Sequence, residues 1–227
     1  MDSGKMYILA FDTTAAACSI VLAQDGKMVD QYSKTVDFGQ SEILIPQIQN
    51  MLQKHNLTFD NINAVFVCVG PGSFTGVRAS ISAAKVFVVA NPEILLSGFS
   101  AFDAYIRGLS CSDIAFCNAV IIETRRDDFY VRFYDESLRP ISEPQALSRE
   151  DIISFLKKQN HQVSLIGDGV ERFLNEPSGL SLHSIKMLDC LPNDTILSVC
   201  GDQIALKKFN FPKPLYIRAA DVTLPSK

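Results

Sequence analysis

No two cysteines in this sequence stand as C-x-x-C, no two histidines are close enough to share a metal, and no apolar run reaches membrane-spanning length. Each absence removes a class of function. The six cysteines (Cys18, Cys68, Cys111, Cys117, Cys190 and Cys200) lack thiol-redox spacing. Cys18 and Cys68 lie in apolar runs, where a thiol behaves as a small hydrophobe. Residues 1–5 are not followed by an apolar segment long enough for a secretion signal, so reduced thiols in the cytoplasm are expected. His55, His161 and His183 are far apart, and no Ser-His-Asp or Cys-His arrangement can be argued, so neither a metal site nor a nucleophile is expected. Basic residues do not cluster. With 21 Lys and Arg against 25 Asp and Glu, the net charge is -4, which argues against a chain that grips nucleic acid alone.

What is present is a long apolar inventory. Of 227 residues 47% are hydrophobic, enough for one large core or two lobes. The most organised stretch is Gly70-Pro71-Gly72-Ser73-Phe74-Thr75-Gly76, behind the uncharged run 64–69 and before a small, apolar pattern over 77–90 stopped by Pro92. This reads as strand, tight turn, helix. Gly70 and Gly72 permit positive φ or close backbone approach, and Ser73 or Thr75 can cap the helix. It is not a Walker A loop, because Val77 stands where a lysine is needed, and the third glycine is one place late for a dinucleotide fingerprint. The turn fits an anion or simply a packed neighbour.

The remaining elements alternate. Strands are expected at 7–11, 18–23 and 28–35, with Asp25-Gly26 as a hairpin turn and the third strand at a sheet edge. Ser41 is placed as the cap of a helix burying Leu44, Ile48, Met51, Leu52 and His55, with Pro46 in or near its first turn. After the glycine turn come a short strand at 94–96 and a helix from Ser100 to Ile106. The second half reads as strands at 114–122, 129–134 and 139–142, a helix from Ser148 to Lys158, a strand at 163–166 ending in Gly167-Asp168-Gly169, and a helix over 194–209. Two β-β-β-α-β units predict a duplicated α/β fold, with lobes at 1–108 and 109–227, the second less complete.

Three motifs invite chemistry. Asp12-Thr13-Thr14 lies at a strand-to-strand turn, where actin-like phosphotransferases face phosphate and magnesium; an Asx turn is the plain alternative. Arg125 and Arg126, in Glu123-Thr124-Arg125-Arg126-Asp127-Asp128, can clamp an anion or lie on a solvated hairpin tip. The 77–90 helix shows almost no polar face, which predicts burial on all sides, by its own domain or by another chain.

Several of these residues carry a family likeness. Residues 8–14, Gln40-Ser41-Glu42 with Leu44 and Pro46, the glycine turn with Arg78, Glu123-Thr124-Arg125 with Tyr130, and Pro214-Leu215-Tyr216-Ile217-Arg218 together resemble the motifs of the TsaB (YeaZ) family. Gln40, Glu123 and Thr124 depart from its usual histidine, aspartate and alanine. The resemblance implies a two-lobed actin-like (ribonuclease H-like) fold and a role in making threonylcarbamoyladenosine in tRNA. It implies a non-catalytic scaffold that pairs with a TsaD-like transferase, recruits a TsaE-like ATPase, can self-dimerise, and meets tRNA only through the complex. No cofactor is required; weak ATP or ADP binding is allowed, in isolation or only in the complex, with Asp12, Thr13, Thr14, Gly72 and Ser73 as the phosphate-loop candidates. The partner surface is expected on two helices, through Ser41, Glu42, Ile45 and Gln49 on one and Phe74, Thr75, Gly76, Arg78, Ala79, Ser80, Ala83 and Phe87 on the other. The alternatives are an actin-like enzyme, either a glycoprotease-type peptidase or a small-molecule kinase, and a self-assembling structural protein.

Overall fold

A computed structural model of the protein describes residues 5–35 and 39–218; the side chains of Gln40 and Ser41 lie outside the description. The chain opens with β1 (Tyr7–Asp12), β2 (Ala17–Gln24) and β3 (Lys27–Thr35). Asp25 and Gly26, both at positive φ, turn β2 into β3. Then follow α1 (Gln40–Lys54), β4 (Ile62–Cys68), α2 (Phe74–Ala90), β5 (Leu95–Phe99) and α3 (Ala101–Ile106). The sheet order is β3-β2-β1-β4-β5. The hairpin strands are antiparallel, while β4 and β5 join in parallel through helical crossovers. β1, β2 and β4 are buried on both faces, which is why they read as continuous apolar runs.

The second half repeats the plan. β6 (Cys117–Glu123), β7 (Asp128–Tyr134), β8 (Gln145–Ser148), α4 (Arg149–Lys158), β9 (Val163–Gly167), α5 (Val170–Phe173), β10 (Leu182–Met187) and α6 (Asn193–Ala205) follow in turn. Their sheet order, β10-β9-β6-β7-β8, is the first sheet's order read from the other edge, with the same parallel and antiparallel senses. The second lobe lacks no strand; it differs in size, with α5 four residues long where α2 has 17. α3 and α6 lie between the sheets, in a core cluster drawing on β1, β2 and β4 from one side and Val120, Ile122 and Ile166 from the other. Separate clusters pack α1 and α2 on the first sheet and α4 and α5 on the second. No helix among the described residues is long and apolar enough to cross a membrane.

Five expectations are corrected. α1 starts at Gln40 behind a left-handed Gly39 with no side-chain cap, so Ser41 is not its N-cap residue. Pro46 falls inside α1, beyond the first turn. His55 is not on the buried face but at the helix end, bonded to Asp30 at 2.7 Å. Residues 139–142 form a turn organised by the Asp135 carboxylate, with one bridge at Pro140; the strand is Gln145–Ser148. α6 stops at Ala205, because Lys207 turns to positive φ and Leu206 is 64% exposed. β10 went unread because it is an edge strand that alternates half-buried with exposed positions.

α2 is not buried all round. Val77, Ser80, Ile81, Ala84 and Phe87 face the core, whereas Val86 and Val89 are 64% and 84% exposed, beside exposed Arg78, Ser82 and Lys85. Three residues assigned to the partner surface therefore point inward. Gly76 and Ser80 pack on the β1 turn, and Phe87 packs on Phe11 and Phe59. Glu42, Gln49, Phe74, Thr75 and Arg78 are exposed, and Ile45, Ala79 and Ala83 are half-buried.

Candidate functional site

The cleft between the lobes is walled on one side by the β1 turn and the glycine turn. Asp12 is buried, and its carboxylate accepts the Thr14 N–H at 2.8 Å, so the Asx-turn alternative describes its bonding. Burial raises its pKa above the usual carboxylate value, and burial, helped by the Asp12 charge, raises that of the neighbouring Cys68 thiol. The Thr13 hydroxyl donates to the Gly76 carbonyl at 2.9 Å and contacts the Ser80 hydroxyl at 2.6 Å. Ser73 donates its N–H to the Thr14 carbonyl at 2.7 Å, and its side chain caps α2 by accepting from Gly76 N–H. The glycines are there for close approach: a Cβ at Gly72 would lie 2.3 Å from the Thr14 carbonyl oxygen, and one at Gly76 2.0 Å from that of Thr13. Of the five phosphate-loop candidates, Thr14, Gly72 and Ser73 line the cleft, while Asp12 and Thr13 are buried behind it.

The second wall is its duplicate. Gly167-Asp168-Gly169 follows β9 as the glycine turn follows β4, and a Cβ at Gly167 would lie 2.1 Å from the Ile121 carbonyl oxygen. Glu123 ends β6 as Asp12 ends β1. Its carboxylate takes a bidentate pair of bonds from Arg172, at 2.7 and 2.8 Å, and Arg172 lies over the Phe129 ring. The glutamate and threonine that depart from the family pattern thus have local work: Glu123 also accepts from Arg125 N–H, and Thr124 donates to the Asp128 carbonyl at 2.6 Å. Asp168 accepts the Glu123 N–H at 3.0 Å. Burial, helped by the charges of Glu123 and Asp12, pushes its pKa up to about 7.

Between the walls lies a cavity of about 840 Å³ that brings Thr14 and Ser73 opposite Arg125, Arg126 and Asp168. The two arginines and the glycine turn are 50 residues apart in sequence, so their meeting was not readable from spacing. Nor was the part of Asp128, which ends that motif, or of Arg172, which carried no motif, in anchoring the arginine hairpin. The closing motif does find partners. Tyr216 stacks on Phe74 with ring centroids 5.2 Å apart and accepts from Arg78 Nε at 3.0 Å, and Arg218 pairs with Asp128. Among the described residues no group of three or more His, Cys, Asp or Glu is placed to hold a metal.

Comparison with known proteins gives this arrangement a family. The family model for TsaD, tRNA N6-adenosine threonylcarbamoyltransferase, matches residues 39–169, more than half of the chain. The tRNA threonylcarbamoyladenosine biosynthesis protein TsaB of Escherichia coli K12 is 27% identical over 224 residues, covering 94% of this chain and 95% of its own. The chain belongs to the TsaB (YeaZ) family. The YeaZ structure from Pseudomonas aeruginosa superimposes with a TM-score of 0.78 at 20% identity, over 93% of this chain and 99% of that one. A Bacteroides thetaiotaomicron protein described as having an actin-like ATPase fold superimposes with a TM-score of 0.50 at 12% identity, over 87% of this chain and 98% of its own. The TsaB-family chain therefore has the two-lobed actin-like α/β fold, with its opening aspartate turn and its glycine turn packed on each other in the first lobe.

Proposed function

We propose that this chain is a non-catalytic subunit in the formation of threonylcarbamoyladenosine on tRNA. It pairs with a TsaD-like transferase, supports recruitment of a TsaE-like ATPase, and reaches tRNA only through that complex. The observation that carries the reading is the bonding of the first cleft wall. The groups an actin-like enzyme turns toward phosphate are here spent on packing: the Asp12 carboxylate on Thr14 N–H, the Thr13 hydroxyl on Gly76, and the Ser73 N–H on the Thr14 carbonyl. Nucleotide binding by the isolated chain should accordingly be weak, and no cofactor is required. The partner surface is assigned to the exposed faces of α1 and α2, around Glu42, Gln49, Phe74 and Arg78 and the outward Val86 and Val89. A second copy of the chain can use the same surface.

The enzyme reading keeps one observation in its favour. Asp168 faces the cleft with a pKa of about 7, suited to exchanging a proton near neutrality. Reconstitution with the cognate TsaD-like and TsaE-like proteins separates the two readings. A scaffold gives no turnover alone and keeps its supporting activity with Asp168→Asn. A catalyst gives turnover alone and loses it with that substitution.

A further inference from the structure

After α6 the chain does not stop at the lobe that helix belongs to. Residues 207–218 run along the exposed edge of β5, where Gly98 N–H donates to the Asn210 carbonyl at 2.7 Å and Asn210 N–H donates to the Ser97 hydroxyl at 2.9 Å. Pro212 packs on Gly98 so closely that a Cβ there would lie 3.1 Å from the proline Cα. Leu215 N–H then donates to the carbonyl of Val69, the residue leading into the glycine turn, at 2.8 Å. Tyr216 stacks on Phe74 and takes the Arg78 Nε–H. Two residues later Arg218 has crossed to the second lobe, where it pairs with Asp128 at the start of β7. Under this segment lies a cavity of about 190 Å³, which shares Gly72, Phe74, Arg126 and Tyr130 with the lining of the main cleft. The segment thus ties one wall of the cleft to the other at its mouth, while α3 and α6 join the lobes in the shared core.

We propose that residues 207–218 are a latch across the mouth of the interlobe cleft, that the Arg218–Asp128 ion pair is its catch, and that releasing the catch widens the cleft. The pair is placed to matter. The Asp128 side chain is only 9% exposed, so a carboxylate losing its partner there is left in a site with little water, while Arg218, at 41%, reaches it from the solvent side. Asp128 is also joined to the arginine hairpin, because Thr124 bonds both its carbonyl and its Oδ1. Movement of the catch is therefore transmitted to Arg125 and Arg126. On the other wall, the Leu215–Val69 bond and the Tyr216 stack transmit it to the glycine turn.

Hydrogen exchange on the full chain tests this, read at residues 70–78 and 123–130. Arg218→Gln should speed exchange about fivefold in both segments, the size expected when an ion pair with one exposed partner is lost, with β9 unchanged. Arg218→Lys should restore most of the protection. Tyr216→Phe keeps the stack and removes the acceptor of Arg78, and should speed exchange about threefold at 70–78, where an exposed neutral partner is lost. Faster exchange confined to 207–218 in the Gln variant would overturn the latch, as would a Lys variant that behaves like Gln. If Arg218→Gln destabilises the whole chain, the Tyr216→Phe result decides, and unchanged exchange at 70–78 overturns the proposal.

Discussion

Thr13 donates its hydroxyl to Gly76 and shares a 2.6 Å contact with Ser80, and all three residues are buried. Thr13→Val keeps the shape and leaves two buried polar groups without their partner. It should cost about 1–3 kcal/mol in urea unfolding. Gly76→Ala should be worse, since its Cβ would collide with the Thr13 carbonyl oxygen, and overpacking of rigid backbone costs about 1–3 kcal/mol or more. A variant with an unchanged melting temperature would contradict that packing. Asp168 gives a pH prediction. Its folded pKa, about 7, lies above the unfolded value near 3.8. In that window the folded chain holds a proton the unfolded chain has released, so its contribution to stability is full below pH 4 and is lost as pH rises through 7. Asp168→Asn should flatten this decline, raising stability at pH 8 relative to wild type more than at pH 4. At this scale the sequence showed which turns were tight. It did not show which atoms the hydroxyls meet, because Thr13 and Ser80 are 67 residues apart.

α2 shows what residue pattern can and cannot reveal about an element. Its strand-turn-helix setting was legible from the glycines and the following apolar run, which left Ser73 or Thr75 as the cap; Ser73 is the residue that caps it. Its orientation was not. The small residues Gly76 and Ser80 suggested a seam for another helix, yet they serve the close approach of α2 to its own β1 turn. The exposed large apolar positions of α2 are Phe74 at its start and Val86 and Val89 near its end instead. Val86→Glu with Val89→Glu should leave unfolding within about 0.5 kcal/mol of wild type, as for substitutions on an open surface. The same pair should abolish association with a TsaD-like partner in pull-down and light scattering. Ala83→Glu is a poorer probe, because Ala83 packs against the first lobe's core and should destabilise the fold itself. Edge elements were the least legible. β10 has no fully buried position and leaves Ile185 and Met187 exposed, so it lacks the apolar-inside, polar-outside alternation of a half-buried strand, and Pro140 and Asp135 turned an apparent strand into a loop.

Across the whole molecule, two lobes with the same strand order and senses face each other over a cleft, although their sequences are not visibly alike. Element order made the duplication legible, since β-β-β-α-β recurs. The cleft itself was not, because it depends on how α3 and α6 hold the sheets apart. The duplication explains why the fold looks like an enzyme's, and the bonding of its first wall is the reason to read it as a scaffold. The most direct test is a reconstituted threonylcarbamoyl transfer to tRNA by the cognate TsaD-like and TsaE-like proteins, run with each variant of this chain. The scaffold account predicts no product from the chain alone, full support from Asp12→Asn and Asp168→Asn, and loss of support from Val86→Glu with Val89→Glu. Product formed by the chain alone, lost on Asp168→Asn and untouched by the α2 surface changes, would contradict it.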